Sequence, residues 1–387
     1  MRLFRNILTS VLILTSLLQA GAQERKGFIG RTLDKIVAPS RELDPNAVYQ
    51  PEPRWTFALT GDLRKAEVSQ GQKFRLPSAV LGPDDEMIIS WTPVSFSSLL
   101  EADVNKAVGI QAGYGNLAIA LSNTFRGKGT ENVFSFDYLS AGHALQVQFF
   151  NLSNLVNYQM IYSTEDEWNY REEDGFTEEP GNMRALIVDA FYAFNRRSFA
   201  YSAAYKGNLF QKKSAGSWMF GAKVILGEYN IAPSEYIAGM TGGQARQTSA
   251  QVSFGGGYSY NLVPYHRQPY AQRDKGLRNL TVNLTLIPMV TLFNQFTSTA
   301  YQENYDTNVY EQTDKDVMNG KLLINYVARL GIGYSFDLFT LNLSASNDNF
   351  SYKGTSNFYF MGYEDNNVET GGRFSRWMIS LRLGKRF

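Results

Sequence analysis

From Arg54 to the carboxy terminus, apolar side chains recur at every second position. In the segment 322–336, Leu322, Ile324, Tyr326, Ala328, Leu330, Ile332, Tyr334 and Phe336 share one face, and Asn325, Arg329, Gly331, Gly333 and Ser335 share the other. Successive side chains of an extended chain point to opposite sides, so this pattern predicts a strand with one greasy and one hydrophilic wall. The same alternation runs through Trp55–Thr60, Val108–Tyr114, Leu117–Leu121, Phe134–Tyr138, Leu145–Phe149, Leu186–Phe194, Trp218–Leu226, Val252–Leu262, Leu280–Leu292, Phe339–Ala345 and Ser375–Phe387. A further strand is predicted where Asn195-Arg196-Arg197 turns into Phe199, Tyr201, Ala203 and Tyr205. Gly115-Asn116 and Asp337 mark tight hairpin turns.

Two properties separate a closed barrel from a soluble sandwich. Several alternating runs reach about a dozen residues, whereas globular strands average roughly five or six and a tilted bilayer-spanning strand takes about 9–11. The hydrophilic walls are built from Gly, Ser, Thr, Asn and Gln, with Asp189, Lys223, Gln251, Asn283, Arg329, Arg376 and Arg382 interspersed. Such side chains suit a lumen, while a sandwich exterior carries more Lys and Glu. These seven residues are therefore candidate lumen-facing groups. The expected fold is all-β, a transmembrane antiparallel barrel of about 12 strands (roughly 10–14, an even number). Backbone groups facing lipid must all be paired, which requires a closed ring. The segments 294–319 and 349–373 are expected to be long polar outer loops, and 152–181, 228–246 and 262–278 are also long, which interrupts the short-turn, long-loop alternation.

The amino terminus adds an address. Arg2 and Arg5 precede an apolar run, Ile7–Leu18, and the small-residue site Ala20-Gly21-Ala22. Residues 1–22 thus form a secretory signal peptide, the run being too short for a membrane helix. Residues 23–53 carry Pro39, Pro45, Pro51 and Pro53, with Ile29, Leu33 and Ile36 at helical spacing, and are expected to be a periplasmic lead-in or a short plug helix. The barrel occupies 54–387. The terminal strand ends on Phe387, an aromatic carboxy terminus that resembles the signal by which outer-membrane barrels are recognised for insertion.

Composition narrows the options. The chain has no cysteine, which excludes disulfides, thiolate metal sites and lipoprotein attachment. A mean hydropathy of -0.27 excludes a helical membrane protein and is compatible with a barrel, whose strands meet lipid with only half their residues. Aromatic content is 14%, with 23 Tyr and 26 Phe, which suits interfacial girdles. Net charge is +1, and removal of Arg2 and Arg5 takes it to −1, so nothing implies nucleic acid.

Candidate chemistry is sparse. His143, in the turn Ser140-Ala141-Gly142-His143, and His266, between Pro264 and Pro269, are the two histidines. A lipid hydrolase would pair one with Ser140 or Ser259, but neither serine has a nucleophile elbow. Solvent-facing loop imidazoles are the plainer expectation. The carboxylates between Glu165 and Glu179 lack calcium-loop spacing and read as a solvated acidic loop, the alternative being cation-bridged lipopolysaccharide. Gly255-Gly256-Gly257 lies inside a strand, where it permits a bend or close packing and is no phosphate loop. The loop tyrosines Tyr301, Tyr305, Tyr310, Tyr359 and Tyr363 could stack on sugars or line the membrane rim. Inward Arg329, Arg376 and Arg382 set anion preference in a pore or, paired with Asp189 or Asp137, close the lumen; the closed version is favoured.

Four stretches together, Phe194–Tyr201, Gln211–Ser217, Gly256–Asn261 and Asn325–Arg329, resemble a family of exported Bacteroidota proteins known as domain of unknown function 4421. The resemblance implies an outer-membrane barrel in a Gram-negative bacterium and supplies no activity, cofactor or catalytic residue. The expected protein is a non-catalytic, porin-like envelope barrel, either a small channel or a structural or surface-binding element. Its expected partners are outer-membrane lipids, lipopolysaccharide and the barrel assembly machinery acting on the strand that ends at Phe387. The alternatives are an outer-membrane lipid hydrolase with a Ser/His pair and a soluble periplasmic β-rich binding protein.

Overall fold

A computed structural model describes residues 43–387 except 53–54, 82–86, 102–103, 128, 164–168, 173–180, 231–243, 271–273, 305–306, 308, 321 and 361–362. The expected signal peptide, the helical spacing at Ile29–Ile36 and most of the acidic segment lie outside the described residues.

The alternating segments pair edge to edge and close on themselves. In chain order the wall strands are β1 (Trp55–Leu81), β2 (Asn105–Tyr114), β3 (Leu117–Arg126), β4 (Thr130–Leu139), β5 (His143–Ser163) and β6 (Gly181–Ala193). They continue as β7 (Ala215–Asn230), β8 (Gln244–Arg267), β9 (Arg278–Asn304), β10 (Leu323–Phe336), β11 (Phe339–Phe360) and β12 (Tyr363–Arg386). Each pairs antiparallel with its sequence neighbours, and β12 returns to β1 with Leu383 opposite Leu59 and Arg376 opposite Ala66. This closed twelve-stranded up-and-down meander leaves no edge within the ring, as a lipid-embedded backbone demands.

Burial follows the sequence period. Outward positions stay exposed, among them Leu59, Val108, Trp218, Leu284, Leu330 and Leu381, while their alternates are buried. The outward wall is therefore an apolar belt suited to acyl chains. An aromatic rim closes it at the end where β1 begins and β12 ends, where Trp55 packs on Tyr114, Phe57 on Phe387 and Trp218 on Tyr258. Short turns lie at this end; Asp337 reaches its turn with φ 49° and Gly115 with φ 57°. By the usual polarity of such barrels it is the periplasmic end.

At the opposite end the strands overshoot the belt. The segments 294–319 and 349–373, expected as loops, are ordered hairpin extensions: the outer part of β9 pairs with Val309–Asn319, and β11 stays paired with β12 up to Phe360 and Tyr363. Met87–Glu101 joins the outer parts of β1 and β5 in the same way. In these extensions the outward face is no longer apolar, so the pattern that marks a strand is lost although the backbone pairing continues. Tyr301, Tyr310, Tyr359 and Tyr363 consequently sit in strands, not loops, and Tyr305 lies outside the described residues.

One predicted strand is not a wall strand. Phe199–Tyr205 folds into the ring as a short 3-10 turn, Tyr201–Ala204, with Phe199, Ala200 and Tyr201 buried. Its aromatic-small alternation imitates a strand, but it faces protein on every side. The whole connection from β6 to β7 is thus a long inward loop at the periplasmic end. Once 194–214 is counted as that loop, the three long segments after β5 alternate between ends normally.

Candidate functional site: the closed barrel interior

The inward alternates do not line open water. Toward the outer end the lumen holds an apolar cluster that includes Phe150, Leu152, Met183, Ile187, Ile225, Phe350 and Phe374. Phe150 of β5 stacks on Phe374 of β12, with ring centroids 6.3 Å apart, so side chains from well-separated strands meet across the lumen. A lumen filled in this way is a core.

Next to this cluster run two chains of alternating charge. In the first, Arg329 of β10 donates through Nη2 to Asp189 Oδ2 of β6 at 2.6 Å, Lys223 Nζ of β7 lies 3.2 Å from Asp189 Oδ1, and the same ammonium donates to Asp348 Oδ1 of β11 at 2.6 Å. In the second, Arg376 of β12 donates to Glu131 Oε1 of β4 at 2.9 Å, Arg64 Nη1 lies 4.0 Å from Glu131, and Arg64 bridges Asp62. Each chain balances its cations with carboxylates and spans the lumen between strands four apart in the ring. Aromatic faces support the cations: Lys223 lies 4.6 Å from the Phe350 centroid, Arg329 4.9 Å from Phe191 and Arg376 4.7 Å from Phe150. Charges this deeply buried are stabilised only by such pairing.

The inward loop docks inside the ring at the periplasmic end. Asn261 donates to Ala200 O at 2.8 Å, Asn342 to Ala204 O at 3.0 Å, and Arg382 Nη1 to Lys206 O at 3.2 Å, so wall side chains satisfy the loop's carbonyls. Tyr205 Oη donates to Asn283 Oδ1 at 2.7 Å, and Tyr201 receives Arg329 Nη1 at 3.3 Å, which joins the loop to the charge chain. The wall makes room for it: a Cβ on Gly331 would lie 2.7 Å from the Tyr205 ring, and one on Gly333 3.0 Å from Ala204 O. Val48–Tyr49 of the lead-in pairs with Phe210–Gln211 and clips the loop from below. Lys206 Nζ, enclosed within the ring, lies 3.7 Å from Asp137 Oδ2; burial lowers its pKa to about 8 against the raising effect of Asp137.

All seven candidate lumen residues are buried. Asp189, Lys223 and Arg329 come together in the first charge chain. Arg376 belongs to the second, Arg382 and Asn283 hold the loop, and Gln251 donates to Asn294 at 3.0 Å apart from the others. Asp348, Glu131, Asp62 and Arg64 were missed, although extending the same two-residue period places each on the inward wall. Asp137 bonds with Gln146 and Lys206, not with an inward arginine.

The hydrolase candidates are not assembled. Ser140 donates its hydroxyl to the backbone carbonyl of His143, not to the imidazole, which packs outward on Tyr192. His266 lies in β8, not in a loop, and its Nδ1 meets Asn279 Nδ2 at 3.1 Å. Ser259 shares a hydrogen bond with Thr285 at 2.6 Å. Gly255 and Gly257 serve close strand approach, since a Cβ on either would come 2.1 Å from the carbonyl of Pro288 or Leu286 on β9.

Residues 84–374 match a family described as a domain of unknown function, DUF4421. The chain belongs to the DUF4421 family. Among solved structures it is similar to the outer membrane protease OmpT of Escherichia coli, at 5% identity and TM-score 0.32 over 86% of this chain and 97% of that one. A FadL homologue of Pseudomonas aeruginosa matches at 9% identity and TM-score 0.21 over 86% and 90%, and the toluene transporter TodX of P. putida at 7% and 0.18 over 87% and 91%. Scores this low carry no argument about activity, and the fold of this DUF4421 protein rests on its own ring of hydrogen bonds. No curated protein matches the chain.

Proposed function

We propose that this outer-membrane barrel is a non-catalytic envelope protein whose interior is sealed, so that its working surfaces are its outer wall and the strand hairpins beyond the membrane. The observation that carries this is the pair of charge chains crossing the lumen, backed by the apolar cluster and the docked 194–214 loop. An ion entering would have to break buried ion pairs, whose separation is costly. A soluble periplasmic role fits poorly with a ring that exposes Leu59, Leu284 and Leu381 all around. Assembly through the strand ending at Phe387, and residence among outer-membrane lipids, complete the proposal. The test is reconstitution of the mature chain in planar bilayers. A silent membrane is expected, and a steady wild-type conductance would overturn the sealed interior.

A further inference from the structure

The outer wall carries a depression of about 500 Å³ across β5 to β9. Its lower edge is Phe149, Leu186, Leu226 and Ala250, which stand side by side in register, and its floor lies at the small residues Ala185, Gly227 and Ser249. The next outward row is polar: Arg184 faces Glu228, which faces Thr248. The wall therefore switches from apolar to polar at one height on three adjacent strands, at the end away from Trp55 and Phe387. That height is the outer boundary of the hydrocarbon layer.

The charges at this rim are unevenly matched. Glu228 Oε1 accepts from Asn230 at 3.0 Å and lies 3.1 Å from Arg246 Nη2. Arg184, although opposite Glu228 in register, is exposed and has no ion-pair or hydrogen-bond partner among the described residues. A guanidinium without an ion-pair partner among the described residues thus stands over the hollow where the outward wall turns polar. A guanidinium presents paired donors that match phosphate geometry, and acyl chains fill apolar hollows at this depth.

We infer that this depression is a binding site for one phosphate-bearing lipid of the outer leaflet, with Arg184 holding the phosphate and Phe149, Leu186 and Leu226 holding an acyl chain. The inference depends on the barrel wall and not on the sealed lumen, so bilayer conductance does not bear on it.

Native mass spectrometry of the full mature chain, released from neutral detergent, tests it with two probes that share acyl chains. Dioleoyl phosphatidic acid should be retained, and dioleoylglycerol, which lacks the phosphate, should not. Arg184→Gln should lower retention of the phosphatidic acid about tenfold, as loss of a charge-assisted contact implies. Leu226→Trp, which fills the hollow, should lower it too, and Arg373→Gln on the hairpins beyond the belt should not. Heat-modifiable gel migration confirms that each variant is folded. Retention by Arg184→Gln equal to wild type, equal retention of dioleoylglycerol, or full competition by inorganic phosphate would each overturn the site.

Discussion

Replacing Lys223 by methionine removes the one cation that joins Asp189 to Asp348. The two carboxylates then fare differently. Asp189 keeps Arg329 at 2.6 Å, whereas Lys223 is the only ion-pair partner of Asp348 among the described residues. The cost therefore concentrates on Asp348, which is 7% exposed. Breaking a buried pair by deleting one partner costs about 3–5 kcal/mol. The carboxylate has one escape, protonation, which for a reference pKa near 3.9 costs about 4 kcal/mol at pH 7 and about 1.5 kcal/mol at pH 5. The expected loss is thus about 3–4 kcal/mol at pH 7, shrinking toward about 2 kcal/mol at pH 5. The sign follows from proton counting: the folded variant holds a proton that the unfolded chain releases, so its deficit grows as pH rises. Adding Asp348→Asn to Lys223→Met removes the stranded charge and should recover most of the loss, to within about 1–2 kcal/mol of wild type. Urea unfolding in detergent micelles, followed by tryptophan fluorescence and by gel migration, reads all three proteins. A single variant within about 1 kcal/mol of wild type at pH 7, or a deficit that is flat with pH, would refute the assignment of Lys223 as a strut across the lumen.

The inward loop offers two more tests. Gly331→Leu should push Tyr205 off its seat and expose Lys206 to trypsin in the folded barrel, so an uncut loop would contradict that seating. Because the folded-state pKa of Lys206 lies near 8, below its ordinary value of 10.5, the folded state binds fewer protons than the unfolded one between those values. Docking should therefore strengthen by up to about 2 kcal/mol from pH 7.5 to 9.5. Proteinase K protection, normalised to the unfolded chain, should rise over that range in wild type and stay flat in Lys206→Met. On the outside, Leu343→Arg sits mid-belt and should cost about 2–4 kcal/mol of barrel stability, while Asn347→Arg near the belt's outer edge should cost no more than about 1 kcal/mol. Equal costs at the two positions would count against the belt.

How far the sequence could be read follows from what each residue faces. Where a strand has lipid on one side and protein on the other, the two-residue period is forced by solvent. The outward faces of Leu323–Phe336 and of the terminal strand are legible from the chain alone for that reason. Beyond the belt the outward face turns polar while Phe296, Met318 and Phe350 stay buried on the inward one, so the lipid-driven contrast vanishes and the hairpins 294–319 and 349–373 read as loops although they are paired. The inward loop failed in the opposite way. Phe199, Tyr201 and Tyr205 are large because they fill a lumen, and Ala200, Ser202 and Ala204 are small because the wall is close. Steric crowding thus produced the period that lipid produces elsewhere. The interior hid its aromatic members too, because Phe150, Phe350 and Phe374 occupy positions where a water-filled lumen would place polar groups. Those three residues carry the functional consequence. A barrel that conducts has no use for stacked phenylalanines in its lumen, whereas one that must hold its walls at fixed separation gains from them directly, through packing that costs no desolvation of charge. Apolar cluster, charge chains and docked loop therefore act in one sense: each ties distant strands together across the lumen.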